Sequence, residues 1–178
     1  MNWRRESLTG RRLRIALLAD SHGSIAPAVL EAVAAADLVI HAGDVCGGDV
    51  LRVLQGVAPV IAVAGNNDTT RHWAAADAHL LDDLPEALEL TLDGGVLIVV
   101  HGHQWRSAAT RHARLRASCP TARMIVYGHS HRRVIDCERL PWVVNPGASG
   151  RARTFGGASW IGLSVDGDAW HVLTAELV

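Results

Sequence analysis

Short, bounded apolar runs alternate along this chain with segments whose apolar residues recur at helical spacing. Leu13 to Ala19, Leu38 to His41 and Val60 to Ala64 read as strands. Pro27 to Ala36, with proline in its first turn, and Val50 to Gln55 read as the helices between them. Such alternation predicts right-handed crossovers and parallel pairing, hence an α/β domain. The pattern then changes. Leu88 to Leu92 alternates, Asp93-Gly94-Gly95 turns, and Val96 to Val100 is continuously apolar, which together predict a hairpin. An arginine-rich helix is expected from about Ala108 to Ala117 and a buried strand from Met124 to Tyr127, followed by an antiparallel region. Its strands are expected at Val134 to Cys137, Trp142 to Val144, Ser159 to Val165 and Ala169 to Ala175, with Asp166-Gly167-Asp168 as a tight turn and residues 148–158 as one long loop. Residues 1–12 precede the first strand and read as a flexible N-terminal extension of a single domain spanning 1–178.

The polar residues that follow these runs change the picture. Asp20-Ser21-His22, Gly43-Asp44 and Gly65-Asn66-Asn67-Asp68 follow the first three strands. His101-Gly102-His103 and Gly128-His129-Ser130-His131 follow two later ones. The carboxyl edge of strands in open α/β sheets is where ligands bind, and two histidines one residue apart in an extended segment point the same way. Singly, each motif has an ordinary explanation. Asp20 suits a helix cap, Asp44 a turn, Asn66 and Asn67 tolerate left-handed backbone, and an isolated histidine is usually a satisfied polar group. Five such loops in register with strand ends exceed what turn chemistry explains.

Composition narrows the class. The 178 residues are 49% hydrophobic and 20% charged, the profile of a globular protein, and the formal charge of -1 gives no reason to expect nucleic acid or an anionic membrane as partner. Three widely spaced cysteines argue against a disulfide framework and for a reducing compartment. The apolar run after Met1-Asn-Trp-Arg-Arg is short for a signal, and no segment approaches the roughly 18 apolar residues of a membrane span. A cytoplasmic location is expected.

The set Asp20-x-His22, Gly43-Asp44, Gly65-Asn66-x-Asp68, His101-Gly102-His103 and Gly128-His129-x-His131 resembles the calcineurin-like metallophosphoesterases, closest to their small stand-alone bacterial and archaeal phosphodiesterases. Asn145-Pro146-Gly147 is similar to that branch's Asn-Pro-Gly-Ser stretch, with Ala148 in place of serine. The resemblance implies a four-layer α-β-β-α sandwich with mixed sheets and two divalent transition metal ions at the strand edges. It places Asp20, His22 and His131 on one metal and Asn66, His101 and His129 on the other, with Asp44 bridging. A carboxylate has lone pairs enough to serve two cations about 3.5 to 4 Å apart. Four imidazoles among these ligands favour manganese, iron, nickel, cobalt or zinc over magnesium or calcium. The implied reaction is hydrolysis of a small phosphate ester, most simply a diester, by a hydroxide held between the metals, and Asp44, Asn66 and His103 are the expected catalytic residues.

Departures from the family pattern matter as much. Many members place histidine directly after the ligand asparagine and an aspartate three residues after the bridging one, as a pair that protonates the leaving group. Here those positions are Asn67 and Gly47, so poor leaving groups should react slowly unless His103 or a bound water substitutes. Asn67 and Arg132 are expected to contact substrate, whereas His41 and Cys46 read as packing or structural residues. The alternative function is a protein-interaction scaffold like the retromer subunit of the same fold. A homodimer or higher homo-oligomer is left open.

Overall fold

The computed structural model describes residues 2–151 and 153–173. One sheet has the order β1-β5-β6-β7-β9-β8, formed by Trp3–Leu8 (β1), Ala87–Leu92 (β5), Gly95–Val100 (β6), Met124–Tyr127 (β7), Trp142–Pro146 (β9) and Arg133–Asp136 (β8). The other has the order β11-β10-β2-β3-β4, formed by Ala169–Leu173 (β11), Ile161–Asp166 (β10), Leu13–Leu18 (β2), Leu38–His41 (β3) and Val60–Ala62 (β4). Helices Pro27–Val33 (α1), Gly48–Gln55 (α2), Ala78–Asp82 (α3) and Ala108–Ser118 (α4) cover the outer faces.

Period-two geometry explains why the central strands are apolar throughout. In β2, Leu13, Ile15 and Leu17 enter the core between the sheets, while Ala16 and Leu18 pack under α1 and α2. In β6, Leu97 and Val99 face the other sheet, and Ile98 and Val100 face α4. The result is helix, sheet, sheet, helix, as expected for the four-layer sandwich with mixed sheets. A side chain buried as fully as Leu17 or Val99 contributes about 1.5–3 kcal/mol by leaving water.

The structure corrects two expectations and adds an element. Residues 3–8 are not a loose extension: β1 pairs in parallel with β5 from Trp3↔Ala87 to Leu8↔Leu92. As an edge strand it carries Arg4, Arg5 and Glu6, so its apolar signal is thin, yet Trp3 packs toward α4 and Leu8 toward the inter-sheet core. The region after β7 is not wholly antiparallel, because β9 pairs in parallel with β7 and only β8 runs against it. A short 3-10 turn at Ala75–Asp77 leads into α3, in a stretch to which the sequence pattern assigned no element. The last strand is described to Leu173; Thr174 and Ala175, which were expected to extend it, and Ala152 of the long loop lie outside the described residues.

Candidate metal centre

Strands β2, β3 and β4 are mutually parallel, as are β6, β7 and β9, so each set ends along one edge of its sheet. Hydrogen bonds join the loops there. Asp20 N donates to Gly43 O at 3.0 Å, His22 N to Asp44 O at 3.0 Å, and Gly128 N to His101 O at 3.0 Å. The two sheets are tied by His129 N donating to Asp20 Oδ1 at 3.1 Å and by the 2.9 Å contact of His101 Nδ1 with Ala42 O.

Backbone conformation aims the side chains inward. Asp20, His22, Asp44, Cys46, His129, His131 and Arg153 all have positive φ, between 46° and 67°, and they are the only non-glycine residues that do so among the described residues. Such conformations cost about 1–3 kcal/mol each and persist where surrounding structure over-determines them, typically at functional sites. Gly43 permits the close approach: a Cβ there would lie 2.8 Å from His101 Nδ1 and 2.9 Å from Gly65 N.

Asp20, His22, Asp44 and His131 each bring one ligand atom within 4.8 Å of all the others. His22 Nε2 and His131 Nε2 stand 3.1 Å apart. His131 Nε2 is 3.5 Å from Asp20 Oδ1, and His22 Nε2 is 3.7 Å from Asp44 Oδ2. On the other side of Asp44, His101 Nε2 lies 3.3 Å from the same Oδ2. The rings of His129 and His103 follow, centred 5.3 Å and 5.6 Å from that of His101. Asp44 therefore touches both groups of histidines.

These atoms fit a cation. Asp20 Oδ2 is buried without a hydrogen-bond partner, and buried His101 Nε2 has only its 3.3 Å ion-pair contact with Asp44, an expensive state for polar atoms unless something else meets them. His101 and His131 point Nδ1 at the carbonyls of Ala42 and Arg153, at 2.9 and 2.8 Å, which fixes the proton on Nδ1 and leaves Nε2 as a lone-pair donor facing the cluster. Burial lowers the pKa of His22, His129 and His131, His129 to about 4, so these rings are neutral and ready to ligate. Burial raises Asp20 to about 7 in the absence of a cation. For Asp44 burial pushes the same way, but pairing with His101 and hydrogen bonds from Asn67 prevail and hold it below the usual carboxylate range. The same pairing raises His101 against its own burial.

Asn66, an expected ligand, is exposed on its turn. The asparagine that reaches Asp44 is Asn67, whose N donates to Oδ1 at 2.8 Å and whose Nδ2 donates to Oδ2 at 2.7 Å. His103 is half-buried with Nδ1 unpartnered. Arg132 lies outside the cluster, stacked on Phe155. Several contributors stand in the sequence motifs but were given no role there. Asp68 ties the β3 and β4 loops together by accepting from Val45 N, Cys46 N and Gly65 N at 3.2, 2.7 and 2.8 Å. Asn145 donates to Gly128 O at 2.7 Å and Ser130 Oγ at 3.1 Å, bracing the loop that carries His129 and His131. The Asn-Pro-Gly stretch was the signal for Asn145, and it carried no role. His41, fully buried, meets Ser21 Oγ at 3.0 Å, and Cys46 Sγ lies 3.7 Å from His22 Nδ1, its thiol pushed up by burial to about 12.

At the joined strand edges of the four-layer sandwich stands an aspartate and histidine cluster that could hold a metal ion, and sequence comparison supplies the family. The family profile of the calcineurin-like phosphoesterase superfamily domain matches residues 13–168, and the chain belongs to that superfamily. A probable metallophosphoesterase of Methanothermobacter thermautotrophicus is 27% identical over 139 residues, covering 75% of this chain and 76% of the relative. Among solved structures, an archaeal phosphodiesterase superposes with TM-score 0.66 at 22% identity, covering 92% of this chain and 100% of its own. Vps29 of Entamoeba histolytica, complexed with Zn2+, superposes with TM-score 0.71 at 18% identity over 90% of each chain.

Proposed function

We propose that this protein is a metal-dependent phosphodiesterase that hydrolyses a small phosphate ester. The observation that carries the reading is the convergence of His22 Nε2 and His131 Nε2 at 3.1 Å beside Asp20 and Asp44, with the far nitrogen of His131 already committed to a carbonyl. Asp20, His22, Asp44 and His131 would hold one divalent ion. Asp44, His101 and His129 would hold a second, with Asn66 the asparagine of its loop left after Asn67 binds Asp44. Manganese is the favoured metal on donor chemistry, with iron, nickel, cobalt or zinc as substitutes. Bound ions supply a nucleophile from water near neutral pH and positive charge for the phosphoryl oxygens.

The chain's own residues do the rest. Asn67 holds both oxygens of Asp44 in one orientation, so the shared carboxylate is pre-positioned. Burial and the charge of His101 lower the pKa of His103, which keeps that ring neutral and a weak proton donor. With an amide at position 67 and Gly47 lacking a side chain, the site offers little help to a leaving group of high basicity. Aryl esters should therefore be turned over faster than alkyl esters of the same phosphate, and equal rates would contradict this account of protonation.

A scaffold role is the second reading, favoured by the fold shared with the zinc-bound Vps29. The test is to chelate the protein, reload it with manganese or zinc, and follow bis(p-nitrophenyl) phosphate alongside Asp44→Asn. Turnover that needs metal and collapses in the variant supports the enzyme. Metal binding without turnover supports the scaffold.

A further inference from the structure

Beside the ligand cluster, a recess lined by His129, His131, Arg153 and Phe155 leads away from the two histidines. Phe155 also borders a neighbouring cleft of about 480 Å3, lined by Arg132, Arg133 and residues 156–159. No aspartate or glutamate lines either space among the described residues. The guanidinium of Arg132 sits 4.3 Å from the centre of the Phe155 ring, although Phe155 is 58% exposed. A phenylalanine so placed buries little apolar surface. It serves instead as a plate that holds a cation flat by its π-face. Gly156 and Gly157 have φ of 87° and 102° with open space where a Cβ would stand, so their backbone is approachable from the cleft. At the far end, Ser159 Oγ donates to Pro146 O at 2.7 Å, next to the Asn145 that braces the His129 and His131 loop. Cleft and metal loop are thus anchored to one stretch, residues 145–147.

We propose that this cleft receives a second phosphate group of the substrate, carried on the arm of the ester remote from the bond that is cleaved. The inference rests on the phosphoesterase reading, since the scissile phosphate would occupy the adjoining recess. Planar guanidinium groups pair with phosphate through parallel hydrogen bonds, and Arg132, held over Phe155, brings such a group to a wall that Arg133 shares and that no carboxylate lines. A substrate with a neutral arm cannot make that contact. Preference for a doubly phosphorylated substrate follows from the charge of the chain itself and needs no metal in the cleft.

Two measurements test this. First, inorganic phosphate is titrated calorimetrically into chelated protein. Saturable binding is expected, weakened roughly tenfold in Arg132→Gln and further in Arg132→Gln/Arg133→Gln, with Arg132→Lys intermediate. No binding in the parent protein, or binding unchanged in the double variant, overturns the proposal. Second, manganese-loaded protein is given thymidine 5′-(p-nitrophenyl phosphate) with and without a 3′-phosphate, and a KM at least about tenfold lower for the 3′-phosphorylated ester is expected. If neither ester is cleaved while phosphate binding depends on the arginines, the phosphoesterase reading falls and the cleft stands. If both are cleaved with equal KM and phosphate binding ignores the arginines, the cleft falls and the phosphoesterase reading stands.

Discussion

At the scale of single residues, the neighbours of the candidate ligands are as telling as the ligands proposed. Asn67 occupies the place where many relatives of this pattern carry a histidine, and its amide is spent on Asp44 rather than on a leaving group. Asn67→Ala should weaken metal affinity by about 10- to 100-fold, as loss of a ligand's supporting hydrogen bonds usually does, which a metal titration with a competing chelator would measure. His41 gives a pH prediction. Burial, reinforced by the charge of His101, lowers its pKa to about 3, far below the ordinary 6.5. Below pH 6.5 the unfolded chain takes up a proton at this position that the folded chain refuses, so stability falls as pH drops from 6.5 toward 3. His41→Gln removes that proton uptake from both states. Urea midpoints at pH 7.5 and 5 should therefore lie closer together in the variant than in the parent protein, and an unchanged gap would show that other groups account for the loss.

At the scale of elements, parallel strands that end together bring the loops to one place, and the bonds between loops set their conformation. Asn145 at the end of β9 illustrates this. Its Nδ2 satisfies the carbonyl of buried Gly128 and the hydroxyl of Ser130, while its Oδ1 accepts from Gly147 N at 2.8 Å. Asn145→Ala leaves the Gly128 carbonyl without that donor, at a cost of about 1–3 kcal/mol. Thermal unfolding should move to lower temperature, and metal affinity should fall with it because His129 and His131 lose their brace. Asn145→Asp, which accepts but does not donate, should fail to rescue either property.

At the scale of the molecule, the candidate centre is built from both sheets, so an ion bound there would link metal binding to folding. His101 and His129 come from one sheet, Asp20, His22 and Asp44 from the other, and the contacts His129 N to Asp20 and His101 to Ala42 cross between them. Ions that bind only the assembled centre stabilise the fold by about 2.7 kcal/mol when free metal is 100 times Kd. For a domain of this size that corresponds to a rise of roughly 5–10 °C in Tm. Calorimetry of chelated and reloaded protein should show it, and Asp44→Asn should lose most of the gain. No helix among the described residues is long and apolar enough to cross a membrane, and all six tryptophans are buried or partly so, which removes exposed indoles as an argument for self-association.

How much of this was legible in the sequence depended on range. Strands buried on both faces, such as β2, β3, β6 and β7, announce themselves because every residue must be apolar, and the polar residues at their ends then stand out. The α/β class and the residues of the candidate centre followed from that contrast and from the motif resemblance. The edge strand β1 did not, because a strand solvated on one face and carrying charges leaves a broken pattern, and its pairing with β5 is a contact across 84 residues. Nor did the parallel seating of β9 on β7, which side-chain pattern does not encode. The division of labour between Asn66 and Asn67 was likewise undecided, since adjacent residues of one type carry no mark of which faces Asp44. Local periodicity and residue chemistry are written along the chain. Which distant carbonyl fixes a histidine's proton, and which amide holds a carboxylate, is decided only when the two sheets close on each other.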